Sequence, residues 1–526
     1  MRKVNELLLT SLISFFSLAV SAQEFEIRKG GCMPNVEGNA ATATHRAFLP
    51  KPNSNWDASR TYRQLVLLMS YAKDNVDFLG DDPKALYNRI FNEPGYTEEG
   101  RNGNGCVADY YRDQSNGLCN LQFDIYGPYK VDFKAQPYEK PDSKSKNYQR
   151  NAIAAAINMF LADNPGLDFS PYDWDGDGII NQVVIISAGF SGNINFNAVY
   201  GYIWPNTSII SPIKTHDNYT ISNYTASAEL WPNKRLMGIG TICHEFSHSL
   251  GLPDLYPVPS SWTYSAVDEW DLMDGGNFTD YGWCPPNYSP LEKMLFGWLD
   301  PVELKKPCSI TGLKTVSEGG EVYQVKHTDS EYLLLENRQW KGWDLGNPGK
   351  GLVVYHVNYD PDLWYNNAVN GSKAGVFNYS IVAADNRDYE AWEKLVSENV
   401  CPTYQNGGWM NNSHLSGSSF PYATDSTETV DAFTDTTVPA AVMMNNNGEG
   451  SKLLSKPITN IRMSEEGLVS FDFMGGGTPT EVICDLQREI YTDACFDLNG
   501  RQVSSVVRHG LYMIRKPNGT IKKLFK

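Results

Sequence analysis

Residues 244–256 have the types and spacing that a metal-dependent hydrolase needs, and they read H-E-F-S-H-S-L-G-L-P-D-L-Y. His244 and His248 are four residues apart, so on a helix they project from one face and can share a metal ion. Both suit zinc as neutral imidazoles. Glu245, next to the first histidine, can act as general base on a metal-activated water. This pattern is typical of a zinc peptidase.

A third protein ligand is needed, and three carboxylates compete for that role. Asp254 follows His248 by six residues and comes after Gly251, which ends the helix and lets the chain turn back under the metal. Glu269 and Glu292 are the alternatives, because some zinc peptidases take a glutamate from a downstream helix. The glycine-dependent pattern favours Asp254.

A second acidic motif, D-W-D-G-D-G-I-I-N, has the form of half a calcium loop. Asp173, Asp175 and Asp177 stand at alternate positions, from which their carboxylates can converge on one hard cation. Gly178 permits the sharp turn. The loop departs from an EF-hand because Val184 stands where the bidentate glutamate would be. We predict a structural Ca²⁺ that other residues complete, with a solvated acidic turn as the alternative.

The elements around these motifs alternate between strand and helix patterns over residues 58–300, which predicts a catalytic domain with a mixed sheet covered by helices. The helix that carries the histidines is predicted at 233–250. Residues 218–229, polar with β-branched side chains, are predicted as an edge strand. The other predicted elements are buried or regular strands at 64–71, 121–126 and 179–187 and helices at 82–92, 107–114 and 148–162.

The remaining segments lie on either side of this domain. Residues 301–474 consist of short strands between Gly, Asn and Asp turns and predict a β-rich, sandwich-like region. Residues 475–480 are a linker, and 481–526 are predicted to form a small β module. Residues 23–57 read as an N-terminal extension or short pro-segment. Cys32 within it could block the zinc in a latent form, although an ordinary disulfide or free thiol is the favoured interpretation.

Charge and the N-terminus bound the class of protein. The net charge of −17 over 526 residues argues against nucleic-acid binding, which needs a basic surface. Arg2 and Lys3 precede an apolar run and a small-residue site, so residues 1–22 predict a signal peptide cleaved near Ala22. No later stretch is long enough to span a membrane. We therefore expect a secreted protein, or one held at the bacterial cell surface without a helix.

The nine cysteines of an exported chain favour disulfides over a metal cluster, and no C-x-x-C motif occurs. One of them stands beside the first histidine, where a disulfide would brace the site. The suggested pairs are Cys106–Cys119, Cys243–Cys284 and Cys484–Cys495.

Several longer segments accompany these motifs in a fixed order. They include G-C-V-A-D-Y-Y-R-D-Q-S-N-G at 105–117, Y-D-W-D-G-D-G at 172–178, W-D-L-M-D-G-G at 270–276 and G-K-G-L-V-V-Y-H-V at 349–357. Through this set and the histidine motif, the chain resembles the immune inhibitor A family of secreted bacterial metallopeptidases, the cowrin branch of the metzincins. The resemblance covers roughly residues 60–475.

The resemblance implies several features of the site and of the fold. The third ligand would be Asp254, and Met273 would lie in a methionine turn that forms a hydrophobic base under the zinc. The catalytic domain would be a metzincin-like α/β domain with a horizontal cleft and bound calcium, acting as an endopeptidase on proteins or peptides. Many relatives carry a large pro-domain, whereas only about 35 residues precede the catalytic domain here after the signal peptide.

The C-terminal module resembles the sorting tails of proteins exported by type IX secretion. The segments that carry this resemblance are F-D-L-N-G-R-Q-V at 496–503, G-L-Y-M-I-R at 510–515 and the basic end I-K-K-L-F-K. It implies the secretion machinery as a partner, and a small binding module that stays attached is the alternative.

Two alternatives to a zinc endopeptidase remain for the whole chain. One is a catalytically inactive surface adhesin or binding protein on a peptidase fold. The intact His244, Glu245, His248 and Asp254 argue against it, since an inactive relative is free to lose them. The other is a zinc amidase that acts on non-peptide bonds.

Overall fold

The computed structural model describes residues 50–135, 143–196, 199–200, 202–231, 233–258, 265–370, 375–387, 415–423 and 428–477, with the short strands Glu26–Ile27, Ala494–Phe496, Gln502–Val503, Leu511–Arg515 and Ile521–Phe525. The predicted signal peptide and Cys32 lie outside these residues. So do half of the linker and most of the C-terminal module.

A mixed five-stranded sheet lies at the centre of the predicted catalytic domain. Its strands are β1 (Thr61–Tyr71), β2 (Asn120–Val131), β3 (Val183–Phe190), β4 (Asn206–Lys214) and β5 (Thr220–Leu230). The spatial order is β2-β1-β3-β5-β4. Strands β2, β1, β3 and β5 are parallel to one another, and β4 pairs antiparallel with β5. The mixed sheet predicted from the sequence is confirmed.

The edge of this sheet differs from the prediction. The sequence predicts an edge strand at 218–229, but β5 lies inside the sheet and β4, which was not predicted, forms the edge. Several of the polar residues that suggest an edge, such as Thr225, Ser227 and Glu229, are buried inside the domain instead. The carboxylate of Glu229, for example, accepts hydrogen bonds from the backbone N–H groups of Leu79 (2.6 Å) and Gly189 (3.0 Å).

Helices cover both faces of the sheet, so its parallel strands are apolar on both sides. Along β1, Leu65 and Leu67 pack on one side, and Val66 and Leu68 pack on the other. The helices are α1 (Pro83–Asn92), α2 (Val107–Gln114), α3 (Ser143–Asp163) and α4 (Gly240–Leu250). Leu65 and Leu67 belong to the core that contains α3, and the other two residues belong to the core that contains α1, α2 and α4.

The helix with the histidines begins at Gly240, seven residues later than predicted. The residues around this start lie close against another backbone segment. A Cβ added to Gly238 would lie 2.2 Å from the carbonyl carbon of Gly282, and one added to Gly240 would lie 2.0 Å from the oxygen of Asn277. The two glycines are therefore required by close backbone approach.

Residues 50–57, which we call the strap, lie against the end of α4. A Cβ on Gly251, the residue that ends α4, would lie 2.5 Å from the carbonyl oxygen of Pro50. The ring of Trp56 packs against those of Tyr62 and Trp298, with centroids 5.1 and 5.6 Å apart. The end of the predicted N-terminal extension is therefore part of the packed structure.

Residues 301–474 form two sheets of three or more strands. Their strands in chain order are β6 (Val302–Glu303), β7 (Cys308–Leu313), β8 (Tyr323–Lys326), β9 (Glu331–Arg338), β10 (Gly351–Asn358), β11 (Tyr379–Ile381), β12 (Ile458–Met463) and β13 (Val469–Phe473). A five-stranded sheet has the order β11-β10-β9-β8-β6, and a three-stranded sheet has the order β7-β13-β12. The short helices α5 (Pro290–Leu295) and α6 (Pro361–Tyr365) precede β6 and β11.

The larger of these sheets is buried on both faces. Leu333 and Leu335 of β9 join a core with Phe471 of the three-stranded sheet. Leu334, which points the opposite way, belongs to the core that contains α4. The alternation of side chains along one strand thus links the β-rich region to the catalytic domain.

A buried arginine strengthens this junction. Arg338, at the end of β9, pairs with Glu336 (2.7 Å) and Asp344 (2.8 Å). It also donates to the backbone carbonyls of Asn287 and Tyr288, both at 3.1 Å. A guanidinium presents its donors in a fixed fork, so these contacts hold the two parts of the chain in one relative position.

Shorter strands complete the described structure. Ile194–Phe196 pairs with Glu26–Ile27 and Val199–Tyr200, and Tyr422–Ala423 pairs with Thr429–Val430. The four C-terminal strands form an antiparallel sheet. Among the described residues, no helix has the length and apolarity needed to cross a membrane.

The predicted disulfides Cys106–Cys119 and Cys243–Cys284 are wrong, because the structure holds all four cysteines as free, buried thiols. Two of them have other roles. The sulfur of Cys106 accepts a hydrogen bond from the N–H of Asp109 and caps α2, and the thiol of Cys284 donates to the carbonyl of Trp343. The third predicted pair falls outside the described residues at Cys484.

Candidate metal centre

The two histidines and Asp254 come together in a buried cluster at the end of α4. Asp254 Oδ1 lies 3.2 Å from His244 Nε2 and 3.2 Å from His248 Nε2. The imidazole rings are nearly perpendicular, with centroids 4.9 Å apart. All three side chains are at least 95% buried. The structure therefore unites the three residues that the sequence nominated as zinc ligands.

Backbone carbonyls fix the orientation of both imidazoles. His244 Nδ1 lies 2.8 Å from the oxygen of Leu272, and His248 Nδ1 lies 2.7 Å from the oxygen of Leu252. A carbonyl can only accept, so each Nδ1 carries the proton. In the neutral ring this leaves a lone pair on each Nε2, directed at the cluster centre. Such a backbone contact is typical of metal-binding histidines.

Gly251 makes the second of these contacts possible. It ends α4 in the left-handed region, with a φ of 108°, which glycine adopts without strain. The chain then reverses, and the N–H of Leu252 donates to Ser247 while its carbonyl faces His248. The turn predicted at this glycine is confirmed.

The two oxygens of Asp254 have separate partners. Oδ1 faces the histidines, whereas Oδ2 accepts a hydrogen bond of 2.7 Å from the side-chain amide of Asn367. The same amide accepts from the backbone N–H of Asp254 at 2.6 Å. Asn367 comes after α6, far along the chain, and nothing in its local sequence indicated this role.

Burial and mutual contact shift the pKa values of all three residues in this cluster. Burial disfavours the imidazolium form, but the Asp254 carboxylate outweighs it and raises the pKa of His248 to about 9. Burial dominates at His244, whose pKa is lowered. Burial alone would raise the pKa of Asp254, yet the two histidines hold it below its ordinary value.

The donor geometry fits a tetrahedral zinc ion. Zinc binds imidazole nitrogen and carboxylate oxygen at about 2.0–2.2 Å, which places tetrahedral ligand atoms roughly 3.3 Å apart. The distances of 3.2 Å from Asp254 Oδ1 to both Nε2 atoms agree with this value. Within the described residues, moreover, no group placed to donate a conventional hydrogen bond faces this buried oxygen.

Met273 lies in the segment that supports the first histidine. Its side chain is fully buried in the same core as α4. Its N–H donates to Asp271 Oδ1 at 2.8 Å, and its carbonyl accepts from the N–H of Leu255 at 2.9 Å. The preceding carbonyl, that of Leu272, is the one that holds His244.

Glu245 is also buried, one residue after the first histidine on α4. Its backbone carbonyl accepts hydrogen bonds from the hydroxyl groups of Thr207 and Thr225, on β4 and β5. These contacts fix the helix against the sheet at the position of the candidate base. The charge of Glu245 contributes to the raised pKa of His248, after the larger effects of burial and Asp254.

The two alternative ligands lie elsewhere. Glu292 accepts hydrogen bonds from the backbone N–H and the hydroxyl of Ser289, at 2.7 and 2.8 Å, and so forms the capping box of α5. Glu269 is buried but does not belong to the group of converging ligand atoms. The helix-cap role of Glu292 explains its position without a metal.

The acidic loop at 173–178 brings its three carboxylates within reach of one another. Asp173 is buried and accepts backbone hydrogen bonds from Gly176 (2.8 Å) and Gly178 (2.9 Å), whereas Asp175 and Asp177 are exposed. Burial and then the nearby Asp177 raise the pKa of Asp175. The loop is thus closed by its own backbone, and two carboxylates remain directed outward.

Comparisons with known proteins agree with this chemistry. Residues 72–295 match the family model described as immune inhibitor A peptidase M6, catalytic domain. The chain is 24% identical over 295 residues to Immune inhibitor A of Bacillus thuringiensis subsp. alesti, an alignment that covers 47% of this chain and 42% of the relative. It is 22% identical over 352 residues to the pre-pro-metalloprotease PrtV of Vibrio cholerae serotype O1, which covers 59% and 36%. The chain spans less than half the length of these relatives.

Proposed function

We propose that the protein is a secreted zinc endopeptidase of metzincin type, because residues 72–295 match the family model of the immune inhibitor A peptidase M6 catalytic domain. Its substrates would be extracellular proteins or peptides. The observation that carries the proposal is the convergence of the three side chains, with Asp254 Oδ1 at 3.2 Å from both His244 Nε2 and His248 Nε2.

The three residues would hold the zinc, and the carbonyls of Leu252 and Leu272 keep the imidazoles in the required tautomer. When bound, zinc supplies Lewis acidity that polarises a peptide carbonyl and activates water near neutral pH. Glu245 takes the proton from the attacking water and passes it to the amide nitrogen that leaves. The C–N bond breaks, and the water oxygen stays with the acyl carbon.

The metzincin assignment rests on Met273. This residue is buried in the same core as α4, and it lies between the Leu272 carbonyl that contacts His244 and the backbone hydrogen bond to Leu255, next to Asp254. A methionine fills such a space adaptably because its side chain is unbranched. Gly251 provides the reversal that brings the third ligand back towards the helix.

The decisive experiment compares casein hydrolysis by the wild-type chain and by Glu245→Gln, each with and without a zinc chelator. The glutamine keeps the size of the side chain but cannot accept the proton. We expect the variant to bind zinc like the wild type and to lose activity by at least 100-fold. Equal activity in all samples would refute the peptidase. Zinc binding without any hydrolysis, in the wild type too, would favour the adhesin alternative.

Calcium is proposed for the loop at 173–178 as a structural ion. Asp175 and Asp177 offer outward-facing carboxylates, and Asp173 fixes the turn. We expect added Ca²⁺ to raise the melting temperature of the wild type and to leave that of Asp175→Ala unchanged. If both proteins respond equally, the loop is an acidic turn.

Export is proposed from the two chain ends. Residues 1–22 would be removed as a signal peptide, and residues 481–526 would direct the chain to the outer surface through secretion machinery. Deletion of 481–526 should leave the protein inside the cell envelope. Normal release of the shortened chain would contradict the sorting role.

A further inference from the structure

The side chain of Asn367 forms a closed pair of hydrogen bonds with Asp254. Its amide nitrogen donates to Oδ2 of the carboxylate at 2.7 Å, and its amide oxygen accepts from the backbone N–H at 2.6 Å. Only one assignment of the amide satisfies both contacts, because a carboxylate can only accept and an N–H can only donate. One side chain thus controls both the backbone and the carboxylate of the candidate third ligand.

The backbone at this position favours an asparagine. Asn367 has a φ of 54°, in the left-handed region that asparagine tolerates better than other residues with a Cβ. It follows the end of α6, and its N–H donates to the carbonyl of Trp364 at 3.2 Å. The residue is 9% exposed, so its amide cannot exchange Asp254 for bulk water without loss of packing.

A second asparagine anchors the same segment. Asn370 donates to the carbonyls of Leu255 and Tyr379, each at 2.8 Å, and accepts from the N–H of Tyr379 at 3.2 Å. Tyr379 begins β11, in the sheet of the β-rich region. The loop of Asp254 is therefore connected through two asparagines to a sheet outside residues 72–295.

We propose that Asn367 is a positioning residue for zinc binding, holding the Asp254 carboxylate so that Oδ1 alone faces the two histidines. The inference rests on the proposed function for the identity of the metal. Without the amide, Oδ2 gains freedom to rotate towards the metal or towards water, and the carboxylate loses its fixed direction. Partners of this kind typically contribute 10- to 100-fold to metal affinity.

Two variants separate positioning from folding. Asn367→Gly removes the amide and keeps the left-handed backbone free of strain, whereas Asn367→Ala removes the amide and adds that strain. We expect both to bind zinc about 10- to 100-fold more weakly than the wild type, by chelator competition on the full chain. Both should melt at a lower temperature than the wild type without metal, because the buried N–H and Oδ2 of Asp254 lose their partners, and the alanine variant should melt lowest. Asn366→Ala, at an exposed neighbour, is the matched control.

Cobalt provides a readout that does not depend on turnover. Co²⁺ in the site reports ligand geometry through its visible absorption, which is strongest in tetrahedral coordination. We expect a weaker, shifted band in Asn367→Gly and an unchanged band in Asn366→Ala. If affinity follows melting temperature across the variants and the band does not change, Asn367 is merely structural. Absence of zinc binding by the wild type would instead refute the proposed function itself.

Discussion

The backbone N–H of Leu255 donates to the carbonyl of Met273 at 2.9 Å, so the loop that contains Asp254 is connected directly to the segment of the buried Met273. The adjacent carbonyl of Leu272 holds His244. A disturbance of the buried methionine should therefore reach both His244 and Asp254, although the methionine side chain is not part of their cluster.

Substitution of Met273 tests this connection. Met273→Leu conserves volume and should cost less than about 1.5 kcal/mol in the free energy of unfolding. Met273→Ala leaves a cavity and should cost about 2–5 kcal/mol. We also expect the alanine variant to bind zinc more weakly, because the backbone carbonyl that orients His244 can relax. Urea unfolding and chelator competition measure the two effects. If the Met273→Ala variant is destabilised but keeps full zinc affinity, the packing of Met273 does not control the orientation of His244.

The strap gives a second prediction. Trp56 packs between Tyr62 and Trp298, and the strap crosses the glycine that ends α4. Trp56→Ala should lower the free energy of unfolding by about 3 kcal/mol, near the low end for a tryptophan, because the side chain is only partly buried.

Trp340 is the matched control, since it is 49% exposed. Its replacement by alanine should cost less than about 1 kcal/mol. Equal effects of the two substitutions in thermal unfolding would show that the strap is not part of the folded unit.

The sequence predicted which side chains come together at the site, but not the residue that holds Asp254 in place. Spacing alone predicts that His244 and His248 lie together, because a helix places residues four apart on one face. Asp254 was predicted through its glycine-dependent position and is confirmed as a member of the cluster. Asn367 was not found, because its role depends on a contact across 113 residues and its own neighbours carry no pattern.

The fold shows the same division between local and distant information. A continuous apolar run predicted β1 to within a few residues, and α2 was predicted with the bounds that it has. The start of α4 and the place of β5 were wrong, because both depend on which segment lies alongside. Gly238 accommodates a distant loop, and Glu229 is satisfied by two distant N–H groups. The pairs Cys106–Cys119 and Cys243–Cys284 were wrong because spacing along the sequence does not show which cysteines lie close together in the fold.

The choice of third ligand can be tested directly by metal content. Asp254→Ala removes an atom at 3.2 Å from both Nε2 atoms and should abolish stoichiometric zinc binding. Glu292→Gln should keep the zinc and lose about 1 kcal/mol of stability or more, because the capping box of α5 is weakened. Metal analysis after gel filtration distinguishes the two. The reverse pattern would assign the ligand role to Glu292.

The last prediction concerns pH and a buried carboxylate in the β-rich region. Glu331, at the start of β9, accepts hydrogen bonds from His356 Nε2 (2.7 Å) and from the backbone N–H groups of Met444 (2.5 Å) and Asn445 (2.9 Å). Burial alone would raise the pKa of Glu331, but these donors outweigh it and lower the pKa to about 2. The carboxylate therefore fastens a distant loop to the sheet.

Because the folded-state pKa of Glu331 lies below the unfolded value of about 4.3, its stabilising effect is full above that value and disappears as the pH falls towards 2. Glu331→Gln should be less stable than the wild type at pH 6, and the gap should close progressively between pH 4 and pH 2. Urea unfolding at several pH values measures the gap, with Glu321→Gln, at an exposed glutamate, as the control. A gap that stays constant with pH would show that the wild-type carboxylate contributes by shape alone.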